Sequence, residues 1–83
     1  MLNMIYEMAL PKFAHAMTEG EIAEWFKAVG DHVEEEEVLF DLITEKVTVP
    51  VESPVSGTIT EIKVEVGETV PVGTIVALIE TDS

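Results

Sequence analysis

The sequence predicts an all-β fold: a flattened β-barrel or sandwich of two sheets with internal pseudo-two-fold symmetry. Three observations predict it. A shift of 37 residues lays the chain on itself without a gap from Gly20 to the C-terminus. Valines alternate with polar residues at the period of two that marks a half-buried strand. Turn-forming residues recur at roughly 8–12-residue spacing, as between the short strands of all-β domains.

The repeat is specific. Gly20 falls on Gly57, Ile22 on Ile59 and Glu24 on Glu61. Val29-Gly30 falls on Val66-Gly67, Val33 on Val70 and Thr44 on Thr81. Trp25 meets Ile62, Val38 meets Ile75, Leu39 meets Val76, Leu42 meets Ile79 and Glu45 meets Asp82. Two copies are too few for a solenoid, which needs about three. Two sheets that close on each other suit them better. Residues 1–83 then form a single domain, with halves at about 6–46 and 47–83.

Each half reads as strands. Val47, Val49 and Val51 alternate with Thr48, Pro50 and Glu52; Ile62, Val64 and Val66 alternate with Lys63 and Glu65. The apolar phase slips by one between Ile22 and Trp25, and again between Ile59 and Ile62. A slip repeated in both halves predicts a bulge or bend, as closure requires. The runs Val38 to Ile43 and Thr74 to Ile79 are almost wholly apolar, which predicts central strands. Turns are expected at Gly30-Asp31, Pro54, Gly57, Gly67-Glu68 and Pro71-Val72-Gly73. Trp25 and Phe26 are adjacent and should face opposite sides, one in the core.

Composition removes several function classes. Seventeen acids face four lysines, and the net charge is −13. No basic cluster exists to displace counterions from phosphate, so nucleic acid is excluded as a partner. An anionic membrane surface is excluded on the same ground. The charge favours basic protein surfaces as partners and solubility. There is no cysteine, so any redox sulfur must come from a cofactor. No apolar run approaches the roughly 20 residues of a membrane span, and Met1-Leu2-Asn3-Met4 is not a signal peptide. A cytoplasmic location follows as the default. His15 and His32 are the only histidines and lack metal-ligand spacing, and Glu34-Glu35-Glu36-Glu37 lacks the spacing of a calcium loop, so no metal site is expected. No nucleophile–base pair or phosphate loop is present, so the domain is not expected to be an enzyme by itself.

One lysine stands apart. Thr44-Glu45-Lys46 is equivalent to Thr81-Asp82-Ser83, yet here the chain continues directly into Val47 to Val51. A direct strand-to-strand connection puts Glu45 and Lys46 at a hairpin tip. The halves also differ in a loop. Pro11 to Thr18 precedes Gly20, whereas only Pro54-Val55-Ser56 precedes Gly57. The longer loop should lie near Lys46, and loops of this kind often carry function.

The segment Asp41-Leu42-Ile43-Thr44-Glu45-Lys46-Val47-Thr48-Val49 resembles the attachment motif of lipoyl domains. Val51-Glu52-Ser53-Pro54-Val55-Ser56-Gly57-Thr58-Ile59 is similar to the family's strand and turn. Leu10-Pro11-Lys12 and Met17-Thr18-Glu19-Gly20-Glu21-Ile22 match its first strand, loop and second strand, and Val29-Gly30-Asp31-His32-Val33 and Val66-Gly67-Glu68-Thr69-Val70 match its paired turns. The resemblance runs from about Tyr6 to Asp82. It is to the biotin/lipoyl attachment family, as in the dihydrolipoyl acyltransferase of a 2-oxo acid or acetoin dehydrogenase complex.

The resemblance implies a swinging-arm carrier with lipoic acid in amide linkage on Lys46. Glu45 and Val47 would be the flanks read by a lipoate ligase or lipoyl transferase. Glu45 stands where the family more often has aspartate, and its charge is kept. Phe13, His15 and Met17 of the loop would contact a thiamine-diphosphate decarboxylase component, or Phe13 and Met17 would simply cover a core edge. The other implied partners are the acyltransferase and dihydrolipoyl dehydrogenase sites, and the isolated domain would be a monomer. The loop ending Met17-Thr18-Glu19-Gly20 points to the pyruvate or acetoin type. Two alternatives remain: a biotinyl carrier, whose lysine is typically flanked by methionines, and an unmodified protein-interaction module.

Overall fold

The computed structural model describes residues 4–45 and 47–82. Eight strands make two four-stranded antiparallel sheets: β1 (Ile5–Ala9), β2 (Glu19–Trp25), β3 (His32–Val33), β4 (Val38–Ile43), β5 (Thr48–Glu52), β6 (Gly57–Ile62), β7 (Thr69–Pro71) and β8 (Ile75–Thr81). The sheet orders are β1-β8-β6-β3 and β5-β4-β2-β7. Exchanging each strand of one half for its counterpart in the other converts one order into the other. No helix occurs among the described residues.

The two apolar runs become the central strands. β4 lies between β5 and β2, and β8 lies between β1 and β6. Leu39, Phe40 and Leu42 of β4 are fully buried, as are Val76, Ala77 and Ile79 of β8. Ile22, Ile59 and Val33 close the core between the sheets. Trp25 covers one side of it. Its ring lies 4.7 Å from Phe40, and its Nε1–H donates to the Val64 carbonyl at 2.8 Å. Phe26 is exposed, so the two adjacent aromatics divide as expected.

The repeated phase slip is a repeated bulge. The β2–β4 register shifts between Ile22 and Glu24, and the β6–β8 register shifts between Ile59 and Glu61. The halves then clasp each other at these bulges. Gly30 N–H donates to the Ile59 carbonyl at 2.8 Å, and Gly67 N–H donates to the Ile22 carbonyl at 2.9 Å. Ile59 N–H returns to the Asp31 carbonyl and Ile22 N–H to the Glu68 carbonyl. Both glycines have positive φ, 95° and 92°, which their turns require.

Two local expectations are corrected. Gly57 is not a turn residue but the first residue of β6, packed between β8 and β3. A Cβ there would lie 2.1 Å from the Glu80 carbonyl oxygen, so glycine is needed for close strand approach. The alternation Ile62, Val64, Val66 is not a continuous strand, because β6 ends at Ile62. Val64 is buried and Val66 exposed, so past the Lys63 N–H bond to the Val76 carbonyl at 2.8 Å the segment keeps an inside and an outside without a continuing ladder.

Candidate functional site

β4 and β5 pair in register, with Ile43 opposite Thr48 and Leu42 opposite Val49. The tip between them is closed by Thr44 and Val47. Thr44 N–H donates to the Val47 carbonyl at 2.8 Å, and so does the Thr44 hydroxyl. Val47 N–H in turn donates to Thr44 Oγ1 at 3.3 Å. The chain reverses direction between Thr44 and Val47. Lys46 itself lies outside the described residues. Its neighbours Glu45 and Val47 are exposed, Val47 by 57%. Sequence reasoning placed the tip but missed the part of Thr44, whose short hydroxyl side chain before a two-residue reversal was the available signal.

The long loop, residues 10–18, stands beside this tip. Its ends are pinned. Leu10 is buried, its N–H donates to the Thr74 carbonyl, and Val72 N–H donates to the Thr18 carbonyl. Inside the loop, Met17 N–H donates to the Ala14 carbonyl at 3.1 Å, and Phe13 N–H points at Met17 Sδ at 3.4 Å. Loop and hairpin enclose an open cleft of about 800 Å³, whose apolar lining includes Phe13, Met17, Ile43, Val47 and Val49. Glu19, Glu21 and Glu45 lie on its border. Of the three loop residues singled out from the sequence, Phe13 and Met17 line the cleft. His15 is exposed and does not. Met17 also packs against the core, whereas Phe13 is half exposed.

The other lysines are differently placed. Lys27 Nζ is 2.7 Å from Glu37 and Lys63 Nζ is 3.4 Å from Glu61. The hydrogen bond to Glu37 raises the Lys27 pKa, and the same bond lowers that of Glu37. Lys12 is exposed in the loop.

A second grouping was invisible to sequence reasoning. His32, Glu34 and Asp82 bring their ligand-type atoms within 4.8 Å of one another. His32 Nε2 is 2.9 Å from Asp82 Oδ2, and Nδ1 is 3.2 Å from Glu34 Oε2. The bond to Asp82 raises the His32 pKa. All three residues are exposed, and mutual hydrogen bonding accounts for the cluster. Fifty residues separate His32 from Asp82, so no local spacing announces it.

The fold has known counterparts. The biotin/lipoyl family model, described as "Biotin-requiring enzyme", matches residues 6–79. The chain belongs to this family. Within it the resemblance is to lipoyl domains. The chain is 43% identical over 76 residues to the dihydrolipoyllysine-residue acetyltransferase component of the pyruvate dehydrogenase complex of Corynebacterium glutamicum, covering 92% of this chain and 11% of that protein. It is 41% identical over 76 residues to the corresponding component of the acetoin cleaving system of Bacillus subtilis, covering 92% of this chain and 19% of the relative. The chain therefore spans under a fifth of these relatives' length. In three dimensions it matches the solution structure of the lipoyl domain of the 2-oxoglutarate dehydrogenase complex from Azotobacter vinelandii. The TM-score is 0.70 at 32% identity, covering 89% of this chain and 95% of that one. The all-β double-sheet fold and the lipoyl-domain family thus agree with the sequence reading. No helix among the described residues is long and apolar enough to cross a membrane.

Proposed function

We propose that this lipoyl domain is a swinging-arm carrier, with lipoic acid in amide linkage on Lys46. The observation that carries the reading is the closed tip. Thr44 and Val47 fix a two-residue reversal whose described member, Glu45, is exposed, so a ligase can reach the tip and find it in one place. Glu45 and Val47 are the flanks it reads. Lys27 and Lys63 sit in ion pairs just past the ends of β2 and β6 and lack such a presentation. The surroundings suit the group as well, since an apolar cleft opens beside the tip. Flanks of glutamate and valine favour lipoate over biotin.

When bound, lipoate supplies a strained disulfide that accepts an acyl group and two electrons, the sulfur chemistry that a cysteine-free chain lacks. The protein positions and delivers. Tethering raises the effective concentration of the arm at each partner site, and the domain itself performs no acid–base step. The partners are a thiamine-diphosphate decarboxylase component, the acyltransferase centre and dihydrolipoyl dehydrogenase. Phe13, His15 and Met17 belong to the loop that the decarboxylase reads. Residues 1–83 act as one unit with halves at 6–46 and 47–83, monomeric in isolation and cytoplasmic.

The identities of 43% and 41% to pyruvate and acetoin components support those complexes over the 2-oxoglutarate type. The test is a mass measurement on lipoylated chain. With pyruvate and a pyruvate-specific decarboxylase component, one acetyl group should be gained as carbon dioxide leaves. With 2-oxoglutarate and its own component, no succinyl group should be gained. The reverse pattern contradicts the assignment.

A further inference from the structure

The pseudo-symmetry provides an internal control for the cleft. The hairpin end of β4 corresponds to the chain end of β8, where Thr81 and Asp82 take the places of Thr44 and Glu45. A depression lies there too, between those residues and Pro54 to Ser56, but its volume is about 450 Å³ against about 800 Å³. The difference follows the loops: residues 10–18 join β1 to β2, whereas only residues 53–56 join β5 to β6. Among the described residues, this departure from symmetry builds an apolar cleft beside the β4–β5 hairpin.

Gly20 and Met17 both line the cleft, and glycine at position 20 lets the backbone and Met17 pack closely over the buried Leu42. A Cβ on Gly20 would lie 2.7 Å from Leu42 Cδ1 and 3.3 Å from Met17 Cε. Phe13, Ile43 and Val47 remain 51%, 37% and 57% exposed around it. Three large apolar side chains grouped on one opening leave surface that an apolar occupant would cover.

We infer that this cleft is a resting place for the arm itself: the acyl chain and dithiolane attached at Lys46 fold back onto Phe13, Met17 and Val49. The inference rests on the carrier reading. The occupant is fixed by covalent connectivity, since Lys46 is bonded to Glu45 and Val47 and both line the cleft. Charge makes the fit conditional on modification. An unmodified ammonium favours water over an apolar lining. Amide formation removes that charge and leaves an apolar chain that gains by leaving water. The opening is wide, so the arm is held reversibly and remains available to partners.

The test installs the arm chemically, so that the result does not depend on any ligase. Lys46→Cys provides the only thiol in the chain. It is coupled to octyl methanethiosulfonate in one sample and to methyl methanethiosulfonate in another. Proton–nitrogen and methyl spectra of the two are compared. The octyl sample should show added shifts at the Phe13 to Gly20 amides and the Met17 methyl, reversed by reductant. Phe13→Ser with Met17→Ser should remove the amide shifts while the spectrum stays dispersed. Octyl-dependent shifts confined to Glu45 and Val47 would overturn the inference. Failure of lipoate to load Lys46 in the native chain would instead strike the carrier reading, and it is read separately by mass.

Discussion

The backbone amide of Thr44 and the carbonyl of Val47 face each other at 2.8 Å, and the Thr44 hydroxyl bonds both polar groups of Val47. The Thr44 side chain therefore adds two bonds to the backbone bond that closes the reversal. Thr44→Val removes the hydroxyl and keeps the shape. The expected cost is about 1 kcal/mol of stability, with a lower initial rate of lipoylation because the tip samples open forms. Thermal melts and ligase kinetics check this. An unchanged rate would show that tip closure does not matter to recognition.

Two glycines are needed for different reasons. Gly57 has no room for a Cβ, because the Glu80 backbone lies against it. Gly67 has open space but a φ of 92°. Gly57→Ala should cost on the order of 3 kcal/mol, by forcing β6 and β8 apart. Gly67→Ala should cost about 1–2 kcal/mol, the strain of a left-handed alanine. Chemical denaturation ranks them. A smaller loss at Gly57 than at Gly67 would contradict the packing argument.

Glu36 occupies a left-handed conformation at φ 74°, and its repeat counterpart Gly73 sits at 92°. The second half has the residue suited to the turn; the first does not. Glu36→Gly should stabilise the domain by about 0.5 kcal/mol, since relief of 1–2 kcal/mol of strain is partly offset by a more flexible unfolded chain. A lower melting temperature would show that the Glu36 side chain contributes more than its strain costs.

His32 gives the fold a pH dependence. Its hydrogen bond to Asp82 raises its pKa above the ordinary value near 6.5. A raised folded pKa stabilises the protonated form. The contribution is complete below about 6.5 and is lost as pH rises through the raised value. The wild-type melting temperature should therefore fall over that window relative to His32→Gln. Parallel curves for the two proteins would show that the contact is not formed in solution.

Much of this was legible in the chain. The 37-residue repeat contained both bulges, because the apolar phase slips at Ile22–Trp25 and again at Ile59–Ile62. The central strands were visible as apolar runs, and the hairpin tip as the point where one half runs straight into the next. Gly57 was misread because a glycine between two strands resembles a turn, and its closeness to Glu80 depends on a partner strand far along the chain. Val64 and Val66 alternate like a strand, yet they lie beyond the pairing that ends at Ile62. The strain at Glu36 had a signal, its alignment with Gly73, that went unused. The cleft was not legible, since it depends on how Phe13 and Met17 fold back toward β4 and β5.

The central claim is that Lys46 alone accepts lipoate. Its most direct test is intact mass with peptide mapping after incubation with lipoate, ATP and a lipoate ligase, with a biotin ligase in parallel and Lys46→Ala as control. The account predicts one lipoyl adduct, on Lys46, none from biotin, and none on a Lys46→Ala chain that still melts like wild type. A folded chain that stays unmodified, or an adduct on Lys12, Lys27 or Lys63, would contradict it.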